Sequence, residues 1–508
     1  MTDTFKTYSR ENGGRVLLLF LLFLLALYQL THAGFSSFAI VCLIPLLVVG
    51  IYCAFRWRML TFWILIFVNY FIQMKDIAEN LPLPMSLPNE MIQILLLANA
   101  IIDARVNPRF DKCVNLMLFA LILWCGFCTM EILNDTCNLG INIGSWYMGA
   151  RLMAFQLLYA FLVFSIYIST PQSLLNYLCV WALLSLFSVY WTWKQKNIGF
   201  TQIEYAWLYY GPGQVTHLLN ARTLVRYFST FSDAASYGCN AAASAAAFII
   251  FAITAKFNKF RLFFLITAIL VIWGMFQSGT RTAIFCLGAG LMLYIILSKS
   301  VKIAIPFSIV FILFALMLIF TDIGNGNQQI RRMRSAFDKS DASASVRDIN
   351  KAAIKKHIQD APWGIGIGMN QENVPANNKY RRLSMIPPDS EYVFIWVRTG
   401  PIGLTVFIIT TLIMLGGACW TVLFKLKNKA LVGIGAGFCS AFVAIHLGGY
   451  GNQILMQFPN CLMFYGGLSI VYILPYIEPA WIEFENEQLA KQAEKKRLKL
   501  EKKLASRV

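Results

Sequence analysis

The sequence predicts an all-α protein: a polytopic transmembrane helical bundle of roughly 12–14 spans with a large, partly helical extracytoplasmic loop. Three observations carry that prediction. Of 508 residues, 58% are hydrophobic and only 13% charged, where a soluble chain carries about 25% charged residues. Mean hydropathy is +0.60, which excludes a disordered chain, since disorder needs low hydrophobicity and high charge. Long uninterrupted apolar runs recur along the chain, whereas a membrane β-barrel alternates apolar and polar positions.

The runs fall near 16–31, 35–55, 59–74, 89–102, 114–133, 152–168, 174–193, 234–255, 262–277, 282–298, 303–320, 391–424, 431–449 and 460–477. The run at 89–102 is short for a span, and Arg398-Thr399-Gly400-Pro401 is expected to break the long run that follows Glu391. The first run lacks the small-residue cleavage site of a signal peptide. Residues 1–478 therefore read as one transmembrane domain and 479–508 as a charged helical tail, with Glu and Lys spaced for i,i+4 pairs.

The net charge is +18. Placing the N-terminus in the cytoplasm puts Arg56 and Arg58, then Arg105, Arg109 and Lys112, on one side of the membrane. Lys256, Lys259 and Arg261, then Lys299 and Lys302, then Lys425, Lys427 and Lys429, and finally the tail, fall there too. That is the positive-inside pattern, with both termini cytoplasmic; it accounts for the charge through membrane lipids and topology, with no nucleic-acid partner. Two long segments, 194–233 and 321–390, are left outside. The second is rich in Arg and Lys, and since long loops translocate regardless of charge, its basic residues call for a chemical reason.

Arg226 in VRYFSTFSDAASYG, Arg281 in QSGTRTAIF and Arg347 in SASVRDINKA stand on that outer side. A guanidinium there either snorkels to headgroups or clamps an anion, because its rigid fork matches phosphate. Arg281 follows Ser278-Gly279-Thr280 at the start of an apolar run, where backbone N–H groups favour an anion as well. Other features carry less. Cys125 and Cys128 make a C-x-x-C inside an apolar run and read as packing residues. Gly364, Gly366 and Gly368 lack the strand–turn–helix context of a dinucleotide loop and read as a tight turn. His446 lies in an apolar run and reads as a buried, hydrogen-bonded residue; His357 reads as a surface residue, and His32 and His217 as loop residues with nothing to recruit them. Trp191, Trp193, Trp207, Tyr209 and Tyr210 cluster at a span end and fit either an interfacial belt or a platform for sugar rings.

The succession RYFSTFSDAASYG, SGTRTAIF, SASVRDINKAAIKKHIQDAPWGIGIGMN and PDSEYVFIWVRTGPIGL, over roughly residues 220–405, resembles the O-antigen ligase and O-antigen polymerase family of polytopic bacterial glycosyltransferases. The resemblance implies transfer at the outer face of the cytoplasmic (inner) membrane from an undecaprenyl-diphosphate-linked glycan donor. It implies a lipid A–core acceptor in a ligase, or a second lipid-linked glycan in a polymerase. It carries the diphosphate-binding arginines to Arg226 and Arg281 and places Arg347 in the catalytic loop. Many members have a histidine eleven residues before the glycine of the T-G-x-x-G-L motif; here that position is Asp389, with Glu391 two residues on. A carboxylate there takes the acceptor proton as general base. The transfer the resemblance implies is metal-independent and needs no cofactor, and no aspartate pair or His/Asp cluster with metal-ligand spacing appears in the outer segments. The rival class is a transporter of lipid-linked oligosaccharides, or a non-catalytic export component. A transporter is expected to show repeated halves with matched broken helices, which the sequence lacks.

Overall fold

The computed structural model describes residues 13–32, 48–81, 84–104, 110–219, 224–298, 328–334, 342–386 and 390–505, with scattered positions between 305 and 326. Residues 1–64 and 65–508 form two compact units, and everything that concerns the site lies in the second. The fold class is all-α and polytopic, as the sequence predicts. The only strands among the described residues are Leu218–Leu219 and Leu224–Val225, a short antiparallel ribbon with Leu218 opposite Val225.

The longer helices are α1 (Gly13–His32), α2 (Arg58–Phe71), α3 (Ser86–Ala104), α4 (Leu116–Met130) and α5 (Ile143–Tyr167, with a π turn at Arg151–Phe155). They continue with α6 (Pro171–Asn197), α7 (Ala234–Thr254), α8 (Asn258–Gln277), α9 (Thr282–Leu297) and α10 (Ala342–Ile358). The last three are α11 (Glu391–Trp420), α12 (Lys429–Gly451) and α13 (Asn460–Ala505). Nine helices among the described residues are long and apolar enough to cross a membrane, or ten if Val48–Arg56 and Arg58–Phe71 make one span. The difference from the expected 12–14 lies in two places. Ser86–Ile102 and Thr282–Leu297 are apolar but shorter, and the runs at 35–55 and 303–320 fall largely outside the described residues.

α7 is the hub, packing on α8, α9 and α12. Its sequence, AASYGCNAAASAAAFIIF, is mostly small residues, and nearly all of them are buried. In a bilayer helices gain little from the hydrophobic effect and associate by close backbone approach and van der Waals contact, which small residues permit. α12 supplies the matching surface with its own small residues, GIGAGFCSA. Polar side chains seal the same interface toward α13: Asn240 donates to Asn460 Oδ1 at 2.8 Å, and Asn460 donates to Ser236 Oγ at 3.1 Å.

Two ends follow from this order. α7 runs away from residue 234 and α8 runs back to residue 277, so residues 226–234 and 277–282 share one end. The basic segments 256–261 and 425–429 share the other, where Lys256 and Asn428 both reach Glu485. α13 runs without interruption into the charged tail, as far as Ala505.

The break expected near Pro401 is present. Gly400 sits at φ +66°, inside what is otherwise one helix. Its amide region meets the glycine run: Ile365 N–H donates to Val397 O at 3.0 Å and Gly366 N–H to Arg398 O at 2.9 Å. A Cβ at Gly400 would collide with the backbone of Pro362 and Gly364. The glycines of PWGIGIG therefore let a loop backbone lie directly against a broken helix, which is the turn-like packing the sequence suggested. The segment 342–386 is partly helical and has a small core, in which Ile354 and Ile358 of α10 pack with Cys137, Val374, Leu383 and Val397.

Candidate functional site

The site builds outward from the turn Ser278-Gly279-Thr280 between α8 and α9. Gly279 takes φ +58°, a left-handed value that glycine adopts without cost. Ser278 Oγ donates to Met275 O at 2.7 Å and accepts Thr280 N–H at 3.2 Å, so the turn is closed by its own hydroxyls. Thr280 Oγ1 donates to Ala234 O at 2.8 Å, tying the turn to the first residue of α7. That contact needs close approach: a Cβ at Gly238 would lie 2.8 Å from Thr280 Cβ and would overlap Ser278 Oγ. Asp233 caps α7, accepting the N–H groups of Ala235 at 2.7 Å and Ser236 at 2.9 Å.

Arg226 reaches this turn from the preceding segment. Its Nε donates to Ser278 O at 3.2 Å, its Nη1 to Thr216 O at 2.9 Å and its Nη2 to Thr280 Oγ1 at 3.1 Å. Thr280 is the residue before Arg281, so two of the arginines singled out in the sequence meet on one turn although 55 positions separate them. Both are partly exposed. The segment carrying Arg226 is itself held firmly. Ser229, at φ +54°, donates its backbone N–H to Gln195 Oε1 at 3.0 Å and its hydroxyl to Ser188 O at 2.7 Å.

A third arginine arrives from the segment that follows α9. Arg332, on the short helix Gln328–Arg334, donates from Nε to Gly279 O at 2.6 Å. Sequence reasoning placed Arg332 among many basic loop residues, and nothing local distinguishes it from Arg331 or Arg334. Lys75 is a fourth cation nearby: its Nζ donates to Ser232 O at 2.8 Å and lies 3.8 Å from the centre of the Trp207 ring. Burial lowers its pKa from 10.5 to about 8, against the pull of Asp233, Glu79 and Glu204.

His217 corrects an expectation. It is recruited, not idle: it is buried, its Nε2 accepts Ala234 N–H at 2.9 Å, and its ring meets Trp207 edge-on at 4.8 Å. Burial, with Arg226 and Lys75 adding to it, holds its pKa well below the ordinary value, so Nε2 stays a neutral acceptor and Nδ1 carries the proton. His446 is buried as expected, donating from Nδ1 to Phe442 O at 2.9 Å. The aromatic cluster divides. Trp191 donates to the buried Glu204 at 2.8 Å and Trp207 packs on Phe228, whereas Tyr210 is 82% exposed.

Of the remaining predicted residues, Glu391 opens α11 and is fully buried. Its Oε2 accepts Leu455 N–H at 2.9 Å, and Ser390 Oγ donates to Gly449 O at 3.1 Å. The same 449–455 segment grips α9, since Asn452 donates to Thr282 Oγ1 at 2.9 Å. Glu391 and Arg281 are thus joined through one loop. Asp389 lies outside the described residues. Arg347 lies on α10, one helical turn before Lys351, which approaches Tyr450 OH at 3.4 Å at the end of α12; the Arg347 side chain is outside the described residues.

What this end can do chemically is hold an anion. Arg226 and Arg332, from separate segments, both donate to the one turn that Arg281 follows in the chain, and the oxygens that accept from them there are neutral. No curated protein matches the chain. A family model described as O-Antigen ligase matches residues 266–408, a stretch that includes the turn, Arg281, Arg332, Arg347 and Glu391 but not Arg226.

Proposed function

We infer, from the O-antigen ligase domain carried by residues 266–408, that this multi-pass membrane protein is a glycosyltransferase that takes its glycan from a polyprenyl-diphosphate carrier at the outer face of the cytoplasmic membrane. The observation that supports the donor is the meeting of Arg226 with the turn that carries Arg281. A diphosphate linkage is already activated, so chemistry outside the cell needs no nucleotide. Charge accumulates on the departing phosphate oxygen as the glycosidic bond breaks, and fixed guanidiniums stabilise it there.

In this reading Arg226 and Arg281 hold the diphosphate, Arg347 assists from α10, and Asp389 accepts the acceptor's proton as the hydroxyl attacks the anomeric carbon. Glu391 takes a supporting part. Fully buried and bonded to the 455 amide, it fixes the loop that in turn holds Thr282 beside Arg281. The acceptor is lipid A–core or a second lipid-linked glycan.

The test is reconstitution in proteoliposomes with a lipid-diphosphate glycan and an acceptor, without nucleotide. Wild type is expected to form a new glycosidic bond. Arg281→Ala and Arg226→Ala are each expected to lose about 10²–10³-fold in rate, the range seen when one fixed donor to a developing oxyanion is removed, while inserting normally. Movement of the lipid across the bilayer with no new bond would make the protein a transporter instead.

A further inference from the structure

We propose that His217 is a positioning residue for glycan transfer, holding Arg226 in register with the 278–280 turn. The inference rests on the reading above, in which Arg226 meets the donor. Its basis is a closed ring of hydrogen bonds that joins the short ribbon, the start of α7 and the turn. Ala234 N–H donates to His217 Nε2 at 2.9 Å, and His217 O accepts Arg226 N–H at 2.9 Å. Arg226 Nη2 donates to Thr280 Oγ1 at 3.1 Å, and Thr280 Oγ1 donates to Ala234 O at 2.8 Å, which closes the ring. The other ring nitrogen of His217 reaches the same arginine by a second route. Nδ1 meets Thr216 Oγ1 at 2.7 Å, and Thr216 O accepts Arg226 Nη1 at 2.9 Å.

The first turn of a helix leaves N–H groups without intrahelical acceptors. At α7, the Asp233 side chain takes those of Ala235 and Ser236, and the imidazole of His217 takes that of Ala234. Ala234 and His217 are buried, at 0% and 2% exposed, so solvent does not replace the imidazole, and a buried N–H stripped of its acceptor is costly. Removing the ring nitrogen therefore lets the start of α7 shift against the ribbon, and the turn shifts with it through Thr280. Every group that Arg226 itself bonds to on the ribbon and the turn is still present in such a variant. What changes is the distance between them. A residue that sets this distance acts on geometry alone, and a misplacement of about 1 Å in the groups that hold a substrate can cost about 10²-fold in rate.

The experiment measures transfer per folded molecule in the reconstituted assay for His217→Phe, His217→Asn and His217→Gln, each alone and combined with Arg226→Ala. Phenylalanine keeps a ring against Trp207 and Phe228, which lie 4.8 and 5.7 Å from the imidazole, and removes the acceptor. Glutamine carries an amide oxygen to the neighbourhood of Nε2 and restores it. The kcat/KM of His217→Phe is expected to fall about 10²-fold, and that of His217→Gln less than roughly tenfold. Combined with Arg226→Ala, His217→Phe is expected to cost less than about threefold more, because a residue that acts through another adds little once the other is gone. A further loss in Arg226→Ala as large as the loss in wild type, transfer by His217→Phe at the wild-type rate, or His217→Gln as slow as His217→Phe, overturns the proposal. Should His217→Phe not fold, His217→Asn, whose shorter amide stops near Nδ1, removes the same acceptor and decides in its place. If wild type forms no glycosidic bond, or Arg226→Ala transfers like wild type, it is the transfer reading that fails; if Arg226→Ala is slow and His217→Phe is not, it is this inference.

Discussion

Two clusters of buried or half-buried charge distinguish this bundle, and they are built on opposite principles. Between α3 and α5, Arg151 and Glu90, 4% and 2% exposed, form an ion pair at 3.4 Å. Ser86 Oγ accepts from Arg151 at 2.8 Å and Tyr147 donates to Glu90 at 3.0 Å. Each charge there has its opposite, and the sum is neutral. On the 278–280 turn, Arg226 is met by two backbone carbonyls and a threonine hydroxyl, and Arg332 by a third carbonyl. These acceptors are neutral oxygens that fix the direction of each guanidinium against the turn. The first cluster serves the fold. The second is the one the proposed function assigns to the donor's diphosphate.

The comparison breaks most readily at the ion pair. Arg151→Leu leaves Glu90 buried without its cation, and breaking one side of a buried pair costs about 3–5 kcal/mol. Glu90→Leu added to it removes the stranded charge, and the double variant is expected to regain most of that stability. Equilibrium unfolding in detergent measures both, and transfer per folded molecule should stay at the wild-type level. A double variant that folds and fails to transfer would move Arg151 and Glu90 into the functional site and erase the distinction.

The next largest effect concerns how the turn is held. Gly238→Ala forces a methyl into the space occupied by Ser278 Oγ and the Thr280 side chain. Overpacking of this kind costs about 1–3 kcal/mol. Thr280 Oγ1 and Ser278 O are also the atoms that aim Arg226, so the variant should lose transfer out of proportion to its stability. Gly290→Ala, whose added Cβ would lie 3.0 Å from Ala246 Cβ and 3.0 Å from Ser440 O, is the control: a similar loss of stability with transfer unchanged. Equal effects on transfer would show that the turn's geometry is not what Gly238 protects.

The parts legible in the sequence were those with a local signature. Apolar runs placed the helices, Gly400-Pro401 placed the break in α11, and the order of motifs brought Arg226 and Arg281 into one argument. The residues missed lack any such signature. Arg332 is one basic residue among several, distinguished only by reaching a turn 53 positions earlier in the chain. Lys75 meets Ser232 across 157 positions, and His217 meets Ala234 across a turn that no pattern of apolar residues encodes. Glu90 and Arg151 were legible in principle, since ionisable residues inside apolar segments are rare and need partners. Their pairing was not, because it depends on how α3 lies against the π turn of α5.

Lys75 lies between the two principles and gives the finest test of the contrast. Its charge is held by a carbonyl and an aromatic face, like the turn, yet burial opposes that charge and lowers its pKa from 10.5 to about 8. Between those two pH values the unfolded chain holds a proton that the folded chain has released. Stability contributed by this group therefore rises with pH across that window and is at its lowest below it, where both states are charged. Donor binding should move the other way. As pH climbs through about 8, the cation beside the 232–234 segment is lost, and the donor KM is expected to rise by roughly fivefold, the worth of about 1 kcal/mol for a screened charge near a surface. In Lys75→Met both dependences should vanish together, stability no longer gaining and KM no longer rising over the window. A wild-type KM that stays flat from pH 7 to pH 9 would place Lys75 with Arg151 and Glu90, as a charge kept for the fold alone.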